Sequence, residues 1–443
     1  MFDFKTDKIL AETSLLVSLS FIFAGCGGGN SENNSETSSA VSIYHTVSFY
    51  DSNLDLIRTQ SAANGTVIDL TAEGKTWHKA NESAPLQSYT VNESINFYER
   101  AGVAEIADQA GLNSIRDNLS GHFILTDNIT LTDGGGFDAQ GWISIGDNDT
   151  PFSGILNGNN HTLSGLWMNR TGSSNSYDGL FGAIANGTIK NLGVETEDTG
   201  IQGYNYVGII AGIITNSTIT NSYTAGNVSG RNDVGGIAGF VFDGSKIARS
   251  YSSADVYGAW DGAGGIAGTI QGAPFGISAG FASISDSYTT GTVAGAASWV
   301  GGIAGNAQRW ALINNCYASG NISATSSVGG IAGRVYYSSN ITNNAAINSM
   351  VTGTYAGSSY VGAVEGENFG ATYANTIENN FALNTINVQG GSARKTIIDF
   401  QAQQTYSDEI NDDGLGGLGW KFGGNDTNPW QMSENGYPKL YWE

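Results

Sequence analysis

From residue 182 to 390 the apolar residues come in short runs of Ile, Val, Ala and Tyr, cut at regular intervals by Gly, Asn and Ser. The runs contain no Pro and show no helical spacing, so they predict strands. They belong to a repeated pair of boxes. The first reads VGIIAG (207–212), VGGIAG (234–239), AGGIAG (263–268), VGGIAG (300–305), VGGIAG (328–333) and VGAVEG (361–366). The second begins at TIKNLGVE (188–195) and returns as TITNSYTAGNV (218–228), KIARSYSSADV (246–256), SISDSYTTGTV (283–293), LINNCYASGNI (312–322), NITNNAAINSM (340–350) and TIENNFALNTI (376–386). Its isoleucines, 189, 219, 247, 284, 313, 341 and 377, lie 30, 28, 37, 29, 28 and 36 residues apart, within the period range of a solenoid. One such unit cannot close a core alone. The predicted fold class is therefore all-β, a parallel β-helix (β-solenoid) with coils about 4.8 Å apart.

Stacking turns each aligned position into a column. The Ile219 series and the series Val228, Val256, Val293, Ile322, Met350 and Ile386 are expected to fill the interior. Asn191, Asn221, Asn315, Asn343 and Asn379 share a position suited to a left-handed corner and to side-chain bonding between coils, a ladder that Arg249 and Asp286 are expected to break. Paired glycines such as Gly235 and Gly236 suit a tight bend or close backbone approach. A nucleotide-binding role for the Gly boxes is disfavoured, because no GxGxxG opens a helix and no GxxxxGK[ST] occurs.

The N-terminal part reads differently. Residues Leu15 to Ala24 form an apolar run too short for a membrane span, followed by Gly25 and Cys26. This resembles a lipoprotein signal peptide (1–25) and implies lipidation of Cys26, although Phe23 stands where Leu is usual and Asp3, Asp7 and Glu12 offset Lys5 and Lys8. Residues 26–40, rich in Gly, Ser, Asn and Glu, read as a disordered tether. Alternation in HTVSFYD, LDLIRTQS, TVIDL and SINFYE predicts a small separate β-rich module over 41–100. The spacing of Val103, Ile106, Ala107, Ala110 and Ile115 predicts one short helix over 102–117, capping the open end of the solenoid. Residues 101–181 thus hold the cap and first irregular coils, 182–390 the repeats, and 391–443 the last coils and C-terminal cap.

Two resemblances rest on these boxes. VGGIAG with TITNSYTAGNVSG and its copies, the lead-in IRDNLSGHFILTDNITL, WISIG, FSGILNGNNHTLSGL and GLFG, and the ending GWKFGGNDTNPWQMSENGYPKLYW resemble bacterial GLUG-motif proteins over roughly 103–443. That likeness implies an exported, surface-associated β-helix without a single implied activity. In VSFYD, GKTWHKA and VNESINFYE, the preceding module is similar to an internalin-type B-repeat, which implies a β-grasp-like fold.

Candidate chemistry is sparse. HExxH is absent, and His45, His78, His122 and His161 have no ligand-like spacing, so an enzyme is not expected and a peptidase least of all. A carbohydrate-cleaving face would draw on Asp255, Asp261, Asp286, Arg249 and Arg309, which read better as solvated corner residues. Cys316, aligned with Ser222, Ser250 and Ser287, reads as a small packed filler rather than a reactive thiol.

The aromatics carry the binding hypothesis. Tyr223, Tyr251, Tyr288 and Tyr317 share one position and stack either as a sugar-binding strip or as mutual support; strand parity leaves their direction open. Tyr206, Trp299 and Tyr360 precede Gly boxes, and Trp260 and Trp310 lie in nearby loops. These five are the candidate ligand-binding residues, with corner packing as the competing reading. The longest repeats carry extra residues at 271–281 and 351–360, where solenoids often place binding loops.

A net charge of −22 with only 13% charged residues excludes nucleic acid as a partner. No cofactor is expected; the acidic loops at Asp147–Asp149 and 408–413 lack EF-hand spacing and read as turns before they read as Ca²⁺ sites. The expected function is that of a lipid-anchored adhesin or interaction module at the bacterial cell surface or outer membrane, meeting a surface glycan or protein. The alternative is a carbohydrate-binding or polysaccharide-cleaving β-helix. Ice or mineral binding is disfavoured, since Thr218, Thr220 and Thr224 are not repeated regularly enough to form a flat outward column.

Overall fold

The computed structural model describes residues 42–443 apart from 73, 173–176, 274–279, 297, 355–359, 370–373, 384–385, 390–391, 395–397, 401–424, 426–428 and 434–437. The signal peptide, the tether, Cys26, the acidic run 408–413 and parts of both long insertions lie outside the described residues. Contacts fall into two compact units that meet at Ala101 and Gly102.

In the first unit, Tyr44–Tyr50 pairs antiparallel with Leu56–Ala63 and parallel with Ile95–Tyr98, and a hairpin joins Val67–Asp69 to Ser88–Thr90. The alternation read from the sequence places Val47, Phe49 and Phe97 on one buried face against Trp77 and Val91.

The second unit is the solenoid. One coil shows the plan: strand Ala211–Thr215, a corner at Asn216, strand Thr218–Thr220, a corner at Asn221, strand Tyr223–Ala225, a turn at Gly226, and the longer strand Asn227–Gly235. Each strand pairs in parallel with its copy one coil on: Ala211 with Ala238, Ile219 with Ile247, Tyr223 with Tyr251 and Val228 with Val256. Strands equivalent to Ala211–Thr215 build a seven-stranded parallel sheet, from Phe181–Ala185 to Glu365–Phe369.

Repetition explains the interior. Ile189, Ile219, Ile247, Ile284, Ile313 and Ile341 are fully buried in one column. Each contributes about 1.5–3 kcal/mol by burial. The second column is corrected near its end. Ile322 pairs with Val351 and Val351 with Val388, so Met350 lies one register off, 36% exposed. A one-residue slip exchanges faces, and the buried face takes the β-branched side chain. The paired glycines serve close approach: a Cβ on Gly236 would lie 2.2 Å from the Gly265 carbonyl oxygen and from Ser252 Oγ.

The Asn corner is left-handed throughout, with φ of 51° at Asn191, 49° at Asn221, 56° at Asn315, 58° at Asn343 and 51° at Asn379. Asn191 Nδ2 donates to Asn157 Oδ1 (3.0 Å), and Asn221 Nδ2 to Asn191 Oδ1 (3.1 Å). The expected breaks do not occur. Arg249 and Asp286 take the same φ of 48°, Arg249 Nε donates to Asn221 Oδ1 (2.8 Å), and Asp286 Oδ1 accepts from Asn315 Nδ2 (3.1 Å). A donor and an acceptor carboxylate substitute for two amides because the ladder needs matched polarity, not identity.

The next column is buried and satisfied by backbone. Ser222 N–H donates to Ser250 Oγ (3.2 Å) and Ser250 N–H to Ser287 Oγ (3.2 Å). Cys316 is fully buried in this column, its Sγ 3.2 Å from the Asn314 carbonyl oxygen, and burial pushes its thiol pKa up.

The predicted 102–117 helix is shorter than its apolar spacing implied. Val103–Ile106 is a strand, parallel to His122–Leu125, and only Gln109–Ser114 is α-helical, followed by a 3₁₀ turn at Ile115–Asp117. Asp108 is extended and caps the helix through Oδ1 to Gly111 N–H (2.8 Å), which fixes its start. Leu112 and Ile115 join the solenoid core.

Candidate recognition surface on the outer face of the solenoid

Two aromatic columns stand outside the core. The first is the tyrosine ladder. Tyr223, Tyr251, Tyr288 and Tyr317 stack with centroids 5.2, 4.9 and 4.7 Å apart and planes within 9°. The rings point outward, and the chain's own C-terminal strands, Trp430–Met432 and Pro438–Leu440, lie over three of them. Trp442 stacks on Tyr251 at 5.6 Å and donates from Nε1 to the Arg249 carbonyl (3.0 Å). Tyr317 OH donates to the Pro438 carbonyl (2.9 Å) and Tyr288 OH to Glu443 Oε2 (2.6 Å). Burial raises the pKa of Tyr288, and burial also raises that of Glu443. The ladder is thereby occupied from within.

The second column borders the seven-stranded sheet. Tyr206, Asp233, Gly262, Trp299, Ser327 and Tyr360 occupy successive copies of the corner before the Gly box, as the pairing of Val207, Val234, Ala263, Val300, Val328 and Val361 shows. Tyr206, Asp233, Gly262, Trp299 and Ser327 have φ between 51° and 69°. This left-handed corner turns each side chain over the outward residues of the sheet. Tyr206 stacks on Tyr177 (5.2 Å) and meets Phe240 edge-on (5.7 Å). Thr269 Oγ1 donates to Asp233 Oδ1. Arg334 lies 4.5 Å over the Trp299 ring, whose Nε1 donates to Glu367 Oε2 (3.2 Å).

This environment shifts acids upward. Burial raises the Asp233 carboxyl to about 7, opposed by the Thr269 hydrogen bond and reinforced by Asp261. Burial likewise raises Asp261, with Arg334 pulling the other way. Tyr206 is raised by burial and by the Asp233 charge.

Of the five candidate aromatics, Tyr206, Trp299 and Tyr360 share this row. Trp260 lies not in a loop but in strand Asp255–Gly264, 52% exposed, with the Arg231 guanidinium 4.1 Å over its ring. Trp310 is displaced to the opposite edge of the sheet, beside Arg309 and beyond strand Ala304–Gln308. A five-residue strand, about 17 Å, separates those edges. The acidic and basic residues considered for a cleaving face do not converge either. Asp286 and Arg249 sit in the Asn ladder, Asp255 starts a strand, Asp261 follows Trp260, and Arg309 marks the far corner. Asp147 closes a turn, its Oδ1 accepting from Thr150 N–H (2.7 Å) and Asp149 N–H (3.0 Å), which holds its pKa down.

Sequence reasoning did not single out Asp233, Asn306, Arg334 or Glu367, nor an open cleft of about 840 Å³ lined by Arg116, Arg170, Asp147, Tyr177 and Asp178. Both cleft arginines serve the backbone. Arg116 donates to the Ser144 carbonyl (2.7 Å) and burial lowers its pKa to about 10, while Arg170 pairs with Asp138 at 2.8 Å. The available signal for the outer face was variation: the residue after each Gly box changes from Ile213 to Phe240, Thr269, Asn306, Arg334 and Glu367 within an otherwise uniform repeat.

The GLUG motif family matches residues 297–323, the repeat that contains Trp299 and Cys316. The chain is 38% identical over 117 residues to halomucin of Haloquadratum walsbyi, which is 26% of this chain and 1% of that protein. It is 38% identical over 104 residues to a protein of Evansella cellulosilytica named as a Gly-rich membrane protein, 22% of this chain and 12% of the other. Among solved structures, a Bacteroides ovatus protein named as an immunoglobulin A1 protease aligns over 77% of this chain and 93% of its own, with 20% identity and a TM-score of 0.49. An IgA1 protease aligns over 80% of this chain and 31% of its own, with 15% identity and a TM-score of 0.42. The chain thus spans a small part of both sequence relatives, and the structural likenesses carry no statement about activity.

Proposed function

We propose that this chain is an exported, cell-surface β-solenoid that acts as an adhesin or interaction module, held at the membrane through lipidated Cys26. The observation that carries the reading is the corner row Tyr206, Asp233, Trp299 and Ser327, which turns aromatic and charged side chains outward over the seven-stranded sheet. Structural columns in this protein repeat one residue type or one donor–acceptor polarity; this row does neither, as expected where side chains are selected for contact rather than stacking. The names of the two sequence relatives, a halomucin and a membrane protein, support export and membrane association. The module before the solenoid then serves as a B-repeat-like spacer. Substrate cleavage is the weaker reading, because the acids considered for it lie on separate corners.

The test is surface display of the full chain with binding to a printed glycan array and to immobilised matrix proteins, beside a Tyr206→Ala, Trp299→Ala, Tyr360→Ala triple variant. Specific binding that the triple variant loses supports the reading; equal binding by both removes the corner row from it. For the anchor, Cys26→Ser is expected to abolish incorporation of radiolabelled palmitate, and labelling of the variant would contradict it.

A further inference from the structure

Along the sheet, each corner residue meets the outward residue of the next coil. Tyr206 meets Phe240, Asp233 meets Thr269, Trp299 meets Arg334 and Ser327 meets Glu367. The pattern fails at one step, where the corner residue is Gly262 and the outward residue is Asn306. Asn306 pairs in register with Thr269 and Arg334 and so shares their outward direction. It is 3% exposed, and its Oδ1 has no hydrogen-bond partner among the described residues. One strand on, Arg334 Nε is also buried and has no hydrogen bond among the described residues, its ion-pair partner Glu367 Oε2 lying 3.9 Å away.

A buried acceptor without a hydrogen bond and a guanidinium nitrogen whose carboxylate partner lies 3.9 Å away therefore stand on neighbouring strands, which are spaced about 4.8 Å apart. A hydroxyl is the neutral group that answers both, donating to Asn306 and accepting from Arg334. The neighbouring outward positions extend the site. Gln308 Nε2 donates to Gln271 Oε1 (2.8 Å), and Phe242 and Tyr336 flank this amide pair in register. Phe242 to Tyr336 spans three strand spacings, about 14 Å. Amides between aromatic rings present hydrogen bonds and flat apolar faces together, the two demands of a sugar ring. The net charge of −22 opposes acidic polymers.

We propose that this stretch binds a neutral glycan, with one sugar hydroxyl held between Asn306 and Arg334, further hydroxyls on Gln271 and Gln308, and a ring face on Trp299 or Tyr336. The proposal rests on the reading of the corner row as a recognition surface and assigns that surface its ligand chemistry.

The experiment is a printed array of neutral hexose oligosaccharides probed with the full chain, followed by titration of the best-bound oligosaccharide into wild type, Asn306→Leu, Asn306→Ala, Gln308→Ala and Trp299→Ala. Binding is expected to weaken about tenfold in each Asn306 variant and in Gln308→Ala, the loss of one hydrogen bond to the ligand. The melting temperature of at least one Asn306 variant should be unchanged or raised, since an unpaired buried polar atom has been removed; Asn306→Ala serves if Leu overpacks. A lowered melting temperature in both makes Asn306 structural and overturns the proposal. Loss of binding in Trp299→Ala with full binding in the Asn306 and Gln308 variants overturns it while leaving the corner row in place. Absence of array binding alongside capture of a matrix protein does the same. A single ordered water bridging Asn306 and Arg334, unchanged in crystals soaked with the oligosaccharide, also overturns it.

Discussion

The two outward aromatic columns are built from the same repeat and differ in almost everything else. The ladder Tyr223, Tyr251, Tyr288 and Tyr317 uses one residue type, stacks its planes within 9°, and is covered by Trp430, Leu440 and Trp442. The corner row runs Tyr206, Asp233, Gly262, Trp299, Ser327 and Tyr360, and Tyr206, Asp233, Trp299 and Ser327 are each engaged by a different chemistry on the sheet. Uniformity goes with burial and mutual support, because equal rings at strand spacing satisfy one another. Variety goes with half-buried corners whose partners differ from coil to coil, because no stacking rule binds neighbouring positions to match. In a solenoid, the positions that vary within a constant repeat are therefore the ones to examine for function.

The comparison can be broken first on the ladder. Tyr288→Ala removes two stacked neighbours and the Glu443 hydrogen bond from a buried site, and is expected to destabilise the solenoid by about 3 kcal/mol, read as a lowered denaturant midpoint. The same truncation at Tyr206 should cost less than about 1 kcal/mol; equal losses would erase the distinction between the columns. Trp442→Ala should cost about 1–2 kcal/mol and increase acrylamide quenching of tyrosine emission, since Tyr251 loses its cover.

Corner polarity gives smaller effects. Asn221→Ala places an alanine at φ 49° and breaks two side-chain hydrogen bonds of the ladder, one to Asn191 and one from Arg249, for a loss of about 1 kcal/mol, whereas Asn221→Gly should lose less because glycine accepts that conformation. Asp233 supplies a pH signature. Its folded pKa, about 7, lies above the ordinary carboxylate value, so its contribution is full below about pH 4 and is lost as pH rises towards 7. The melting temperature should accordingly fall between about pH 4 and pH 7 by an amount that Asp233→Asn removes; an identical slope in the variant would contradict the burial of that carboxyl.

Much of this architecture was legible in the sequence because repetition reports on itself. The Ile219 column, the left-handed Asn corner and the filler role of Cys316 all followed from alignment of one unit with the next. Features that depend on a single copy were not legible. Val103–Ile106 carries apolar residues three apart, which fits a helix as well as a strand; its pairing with His122–Leu125 decided the matter. Met350 lost its place to Val351 through a one-residue shift that no local propensity signals. Arg249 and Asp286 looked like breaks in the Asn column because residue identity was compared where donor and acceptor capacity was what mattered. The direction of the tyrosine rings depended on distant strands after residue 429, and Asn306 emerged only once its missing partner could be seen across the sheet.

The most direct test of the account is binding of the full chain to the glycan array and matrix proteins, compared between a corner variant (Tyr206→Ala, Trp299→Ala) and a ladder variant (Tyr223→Phe, Tyr251→Phe) that keeps its stacked rings. Loss of binding in the corner variant with full binding in the ladder variant is the predicted result. Retained binding in the corner variant together with loss in the ladder variant would place recognition on the tyrosine column and contradict the account.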